Sequence, residues 1–240
     1  MTEGKGLPTA LRSEPIVDVV CEVRFETDST DAVSLLPGIL AESFGDFDRI
    51  ERSPVSDIPS EFHLRDEFRF QPHVKLAKAN RWISIGPGMI SASTLPPYGG
   101  WQDFSAYAFA VISVLKGRKF AKSFSRISLR YTDVIAHDHP PHIGWLNADL
   151  RIGNQRSFDS FQVRTQREDA GVTIINQIAG PAKTIDGRTG LIVDVDTIGS
   201  APDDFWDKFD EAFNSLHAVN KRAFFDLLTS ETLGRLGPEY

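Results

Sequence analysis

The sequence predicts an α+β fold: a curved antiparallel sheet with helices packed on one face, built as two β-rich halves. Three observations predict it. Stretches of strict apolar–polar alternation recur, the longest at 124–135, and alternation of this kind marks half-buried strands. Gly-, Pro- and Asp-containing turns separate neighbouring stretches at hairpin distance, as at Gly86-Pro87-Gly88 and Asp186-Gly187. Two amphipathic stretches, 101–116 and 205–228, each close a run of strands with an apolar stripe at helical spacing. A chain of 240 residues can bury a sizeable core.

Taken in order, residues 1–13 are polar with Gly and Pro and read as a loose arm. From 15 to 26, Val17, Val19, Cys21, Val23 and Phe25 alternate with Asp18, Glu22, Arg24 and Glu26, a strand with one apolar face. Cys21 falls on that face and reads as a small buried hydrophobe rather than a nucleophile. Residues 31–44 carry Val33, Leu36, Ile39, Leu40 and Phe44 at helical spacing, with Thr30 or Asp31 to cap the start and Gly45 to end it. Pro37 allows that helix to begin as late as its own position. A short strand is expected at 47–53 and a turn at 54–60. Alternating Phe62, Leu64, Asp66, Phe68 and Phe70 predict one or two strands over 62–76, interrupted near Gln71-Pro72. A hairpin at 82–93 and the helix at 101–116, lined by Trp101, Phe104, Ala108, Val111 and Ile112, complete the first half.

The second half opens on 124–135. Ile127, Leu129, Tyr131, Asp133 and Ile135 share one face, and Arg126, Ser128, Arg130, Thr132 and Val134 the other. Asp133 is out of place on an apolar face, because a buried carboxylate is costly unless paired. The expectation is that the strand ends or bulges before it, with a partner such as the Tyr131 hydroxyl as the alternative. A histidine-rich loop at 137–142, an extended piece at 145–152, strands at 158–166 and 172–178, and a last strand at 191–198 follow. The closing helix has Ser200 as cap and Phe205, Phe209, Phe213, Leu216 and Phe224 along its stripe. The expected organisation is an arm at 1–13, a first half at 14–118 and a second at 119–240, within one compact body.

This order of elements resembles the TATA-binding-protein-like folds, including the helix-grip proteins. A second resemblance rests on Pro15-Ile16-Val17-Asp18 with Glu22-Val23-Arg24-Phe25, Tyr98-Gly99-Gly100-Trp101, Leu129-Arg130-Tyr131-Thr132-Asp133 and Phe224-Phe225-Asp226-Leu227-Leu228-Thr229. Together these stretches resemble a sporadically distributed family of prokaryotic proteins of similar length with no established activity. Asp18 and Asp133 depart from its pattern, which has Glu and Asn there. The resemblance implies an accessory protein of mobile-element or defence-type gene neighbourhoods, and it implies no catalytic residues.

Composition narrows the classes of function. The formal net charge of −7 argues against nucleic acid, whose phosphates are held by Lys and Arg. The nearest basic cluster, Lys116-Gly117-Arg118-Lys119, reads as a helix C-terminus. No apolar run approaches the roughly 20 residues that span a bilayer, and no apolar signal core opens the chain, so the expected address is the cytoplasm. A single cysteine excludes an intrachain disulfide. No phosphate-loop, nucleophile-elbow or zincin motif occurs, so no cofactor is called for and catalytic residues are not identified.

Two sets of residues stand out as candidates. His137, His139 and His142 place three of the six histidines within one loop beside Asp138, a spacing that can converge on a metal ion. Arg24, Arg126, Arg130, Arg164, Asp194 and Asp196, with Asp18, Glu22 and Gln162, fall on the polar faces of their strands. Interspersed charge of both signs suits a polypeptide partner better than DNA. Asp194 and Asp196 are also a carboxylate pair, for which pairing with Arg130 or Arg164 is the expected use over acid–base work. The leading expectation is a non-enzymatic interaction protein that binds another protein or itself. The alternative is a small-ligand-binding or metal-dependent hydrolytic protein of helix-grip type.

Overall fold

The structure is a computed structural model that describes residues 6–118, 120–136, 142–184 and 187–240. It is α+β. Eleven strands and four helices alternate along the described chain, and the helices pack on the sheet. Nine strands form one open antiparallel sheet in the order β3-β4-β5-β6-β2-β7-β10-β9-β8, with β1 and β11 as a separate pair. Contacts divide the chain into two compact units. Unit 1 comprises residues up to Val17, Arg130–Thr197 and His217–Tyr240, and unit 2 comprises Asp18–Leu129 and Ile198–Leu216. The units therefore interleave along the chain, whereas the sequence places a single boundary at 118/119. The last long helix and the strand at 124–135 each supply residues to both.

Unit 2 grows from β2 (Ile16–Glu26), most of which it contains. Val19, Cys21, Val23 and Phe25 are all buried, as the alternation requires. β2 pairs with β6 (Met89–Thr94), and β6 with β5 (Arg81–Gly86) across the Gly-Pro-Gly turn, where Gly86 faces Met89. A Cβ on Gly86 would strike the Gln71 carbonyl, so the close approach of that backbone demands glycine. β4 (Val74–Lys78) and β3 (Arg49–Arg52) extend the sheet. Helix α1 (Asp31–Phe44) starts at Asp31 and carries Pro37 inside it, and the Gly45 amide closes it on the Ala41 carbonyl at 2.8 Å.

The alternating phenylalanines at 62–70 do not form a strand. Their backbone is spent on successive tight turns, Arg65 N–H to Phe62 O and Phe68 N–H to Arg65 O among them. Arginines lie over the rings instead: Arg65 sits 4.2 Å from the Phe62 centroid, and Arg69 and Arg24 sit 4.3 and 4.6 Å from that of Phe70. Cation–π contact and the bidentate Arg69–Glu26 pair replace the sheet that period-two alternation suggested.

Helix α2 (Trp101–Ser113) packs on β6 and meets the first half of α3 (Phe205–Leu227) through aromatic rings. Trp101 lies 4.8 Å and Phe104 6.3 Å from Phe213, and Phe109 lies 5.5 Å from Phe209. Trp101 Nε1 donates to Asn214 Oδ1 at 2.9 Å. At the start of α3, Phe205 stacks on Phe124 of β7 (Ser123–Ala136). Helix α3 begins at Phe205; Ser200, the expected cap, is the last residue of β10 (Thr189–Ser200).

Unit 1 holds the rest of β7 and most of β10, with the hairpin of β8 (Phe161–Asp169) and β9 (Val172–Lys183). Ala170 and Gly171 close that hairpin at φ of 49° and 81°, the left-handed geometry of a two-residue turn. The extended piece expected at 145–152 follows a 3-10 turn at Ile143–Trp145 and forms no strand, only the isolated bridges Leu146–Leu228 and Ile152–Gln155. The Asn147 backbone and side-chain amides are taken by the carbonyls of Leu227, Asp226 and Leu228. A further helix, α4 (Ser230–Leu236), is capped by Thr229 Oγ1, which accepts from the Thr232 amide at 3.2 Å. The segment read as a loose arm is paired from Thr9 onward: β1 (Ala10–Leu11) ladders with β11 (Pro238–Glu239). Ile185 and Asp186, half of an expected turn signal, lie outside the described residues. No helix among the described residues is long and apolar enough to cross a membrane.

The aromatic seam of unit 2 gives the first prediction. Phe213 is 1% exposed and contacts three other rings. Phe213→Ala should cost about 3–5 kcal/mol in urea unfolding. A loss within about 0.5 kcal/mol, the ordinary range of a surface change, would show that α3 does not depend on the seam.

Candidate functional site

The polar strand residues singled out from sequence fall in both units. In unit 2, Arg24 Nε donates to Glu22 Oε1 at 2.8 Å, and Arg126 approaches the same oxygen at 4.0 Å. In unit 1, Arg130 lies 3.7 Å from Asp194 Oδ2, and Thr132 Oγ1 donates to that oxygen at 2.8 Å. Asp194 is only 8% exposed despite its polar strand phase. Burial raises its pKa, and the Thr132 hydroxyl and Arg130 guanidinium work against that rise. Asp196 is half-buried on the same phase of β10. Arg164 is exposed on β8 and reaches Gln166 rather than a carboxylate. Several of these charges are thus engaged within the fold's own pairs.

His137, His139 and Asp138 lie outside the described residues. His142 is exposed, its ring 5.8 Å from that of Trp145. Among the described residues no group of three His, Cys, Asp or Glu side chains is placed to hold a metal ion. Cys21 is fully buried, and burial, reinforced by the neighbouring Glu22, pushes its thiol well above the ordinary range. That is the opposite of what a nucleophile needs.

Two polar groups in the interior were not expected there. In unit 2, His73 is fully buried with its ring perpendicular to that of His63 at 4.5 Å, while His63 Nε2 bonds the Ile58 carbonyl at 2.6 Å. Burial, then the charge of His63, lower the His73 pKa, and the nearby Phe68 backbone acts weakly the other way without reaching hydrogen-bond geometry. In unit 1, β7 runs straight through Asp133 to Ala136, neither ending nor bulging before it, and Asp133 is 2% exposed. The neighbours on its phase, Tyr131 and Ile135, are buried too; strand periodicity carries the carboxyl inward with them. Burial pushes its pKa well above the carboxylate range, and the charges of Glu14 and Asp194 add to the rise.

Glu14, whose charge adds to that rise, also lines a cleft of about 620 Å³ in unit 1. The end of β7 supplies one wall through Val134, Ile135 and Ala136, and residues 13–15 cross beside it. Thr232, Arg235 and Leu236 of α4 line the cleft too, as do Trp145 and Arg188. Ile135, Trp145 and Leu236 are buried, whereas Glu14, Arg188 and Arg235 are exposed. The lining therefore combines buried apolar side chains with exposed charged ones, and its polar surface exceeds its apolar surface.

Local bonds explain why these segments meet. Ser13 N–H bonds the Leu236 carbonyl at 3.0 Å, and the Pro15 carbonyl accepts from Val134 N–H at 2.9 Å. Thr229 and Thr232 hydroxyls both donate to the Trp145 carbonyl, at 3.1 and 2.7 Å, fixing α4 over the indole. Arg235 shares its guanidinium with Glu231 at 2.6 Å. Partial burial raises the pKa of Glu14, although the residue as a whole is exposed. Sequence reading missed this set because its members stand at 14, 145, 188 and 235. The one local signal was Thr229-Ser-Glu-Thr232 after the long helix, a start for a second short helix.

Compared with protein-family models, curated proteins and solved structures, the chain matches none.

Asp133 yields a pH prediction. A carboxyl whose folded pKa lies above its unfolded value favours folding at low pH, and that contribution is lost as pH rises through the folded pKa. Asp133→Asn should therefore raise the melting temperature at pH 7 by at least about 2 °C, the effect of roughly 1 kcal/mol in a chain of this size. At pH 4 the variant and the parent should melt together. An equal shift at both pH values would show that ionisation of Asp133 is not what costs stability.

Proposed function

We propose that this protein binds a small polar molecule in the cleft of unit 1. The observation that carries this reading is a cleft of about 620 Å³ lined both by buried apolar side chains and by exposed charged ones. Ligand sites typically enclose roughly 300–1,000 Å³, with apolar walls for affinity and a few polar groups for orientation. Trp145, Glu14, Arg188 and Arg235 are among the residues that line it. The buried Asp133 carboxyl, on whose pKa the charge of Glu14 acts, supports the same reading, because costly interior acids concentrate at sites of use.

The test is thermal unfolding of the whole chain against a library of charged metabolites. A ligand at about 100 times its Kd stabilises by ~2.7 kcal/mol. For a chain of this length that raises the melting temperature by about 5–10 °C. Ser13→Trp, an exposed substitution at the cleft wall, should abolish the shift while leaving the melt of the unliganded protein unchanged. A library with no stabilising member, or a shift that survives Ser13→Trp, would count against the cleft.

A second reading, binding of another polypeptide or of a second copy, is favoured by β8. It is the last strand in the sheet order, and Gln162 and Arg164–Asp169 are all exposed. Such an edge leaves backbone donors and acceptors for an added strand. Thr165→Pro should then remove an association seen by light scattering with the parent chain; a parent that stays monomeric at high concentration and captures no partner would dismiss it.

A further inference from the structure

This inference rests on the second reading above, pairing at the β8 edge, and names its occupant. We propose that the edge pairs with a second copy of this chain: two β8 strands lie antiparallel about a two-fold axis through Gln166, with Arg164 of each copy opposite Glu168 of the other.

The backbone of β8 is set for such a pairing. β8 meets only β9 in the sheet order, and no backbone bond from outside that ladder reaches it among the described residues. The two-residue turn at Ala170-Gly171 makes its flanking pair, Asp169 and Val172, a hydrogen-bonded one. Bonding alternates along an antiparallel ladder, so the odd-numbered residues of β8 bond to β9. The amides and carbonyls of Gln162, Arg164, Gln166 and Glu168 therefore point outward. Proteins guard open edges with Pro, Lys, bulges or short strands. β8 has none of these: it runs nine residues without Pro or Lys, and its register with β9 is unbroken from Phe161 to Asp169. The strand at the other end of the sheet order, β3, is four residues long.

Side-chain charge selects the partner and the register. β8 carries Arg164, Arg167, Glu168 and Asp169, so an identical strand brings no net charge against it. Opposing residues then decide, because an opposite-charge pair favours a ladder and a like-charge pair weakens it. A two-fold axis through Arg164, Arg167 or Glu168 sets a charge against its own copy. One through Thr165 leaves both arginines opposite uncharged residues. An axis through Gln166 sets Arg164 against Glu168 twice, and sets an amide that both donates and accepts against itself. The same axis matches the backbone, since Arg164, Gln166 and Glu168 all present their amides and carbonyls outward. Their side chains are exposed and lightly held: Arg164 reaches Gln166 Oε1 at 3.5 Å, and Glu168 takes the Thr173 hydroxyl. A carboxylate with one such bond still accepts a guanidinium.

The experiment is sedimentation equilibrium of the full chain over a range of concentrations. The parent should dimerise. Arg164→Glu and Glu168→Arg should each weaken dimerisation at least about tenfold, because each sets like charges opposite at two positions. An equimolar mixture of the two variants should recover the parent's affinity, since every Glu then faces an Arg. Both positions are exposed, and unchanged circular dichroism and melting show that the variants fold. Mild oxidation reads the register directly. Gln166→Cys should form a disulfide-linked dimer, because residues opposed in a hydrogen-bonded pair have Cα atoms ~5.5 Å apart, within disulfide reach. Arg164→Cys should not, its two copies being four positions out of register, roughly 13 Å apart. Cys21 is buried and stays out of the reaction. A parent that is monomeric at about 1 mM would overturn the proposal. A dimer that survives Thr165→Pro, a mixture that fails to recover, or equal cross-linking at 164 and 166 would do so too. If the parent is monomeric but binds a different polypeptide that Thr165→Pro releases, the edge reading stands with another occupant; if Thr165→Pro alters no association, that reading falls as well.

Discussion

The constraint on which the structure depends is the two-residue period of its central strands. In β2 and β7 every odd-numbered side chain from Val19 to Phe25 and from Ile127 to Ile135 is directed into the interior. Each large apolar member contributes on the order of 1.5–3 kcal/mol, and together they outweigh any surface ion pair at about 0–1 kcal/mol. The strand cannot slip by one residue without exposing them all. Asp133 sits within that set, so its carboxyl is carried inward with its neighbours and bears the cost of burial.

That cost has a location. The charge of Glu14 adds to that cost, and Glu14 lines the cleft in unit 1. By contrast, the charges on the polar strand faces are largely absorbed locally. Glu22 gathers Arg24 and Arg126, and Asp194 gathers Thr132 and Arg130. Such pairs fix strand register more than they advertise a partner.

Unit 2 shows how aromatic packing completes what the strands begin. Trp101, Phe104, Phe209 and Phe213 join α2 to the first half of α3, and Phe205 stacks on Phe124. The same chemistry defeats a simple pattern at 62–70. There, arginine faces rather than a sheet cover the phenylalanines, and the backbone turns on itself. Alternation in sequence signals two environments for successive side chains, and a strand is only one way of providing them.

The residues alone determined the elements whose signals are local: β2, β7, the Gly-Pro-Gly hairpin, α1, α2 and α3 follow from periodicity, turn chemistry and capping within a few positions. The tertiary structure decided what depends on distant partners. It kept Pro37 inside α1, carried β7 through Asp133, coiled 62–72 into successive tight turns and bound Asn147 to the end of α3. The cleft is wholly of this second kind. Glu14, Trp145, Arg188 and Arg235 meet because β1 ladders with β11 and two threonines anchor α4 to the Trp145 carbonyl. Hydrogen bonds between residues more than two hundred positions apart leave no trace in any short window of sequence, and so the site was legible only once the backbone had closed.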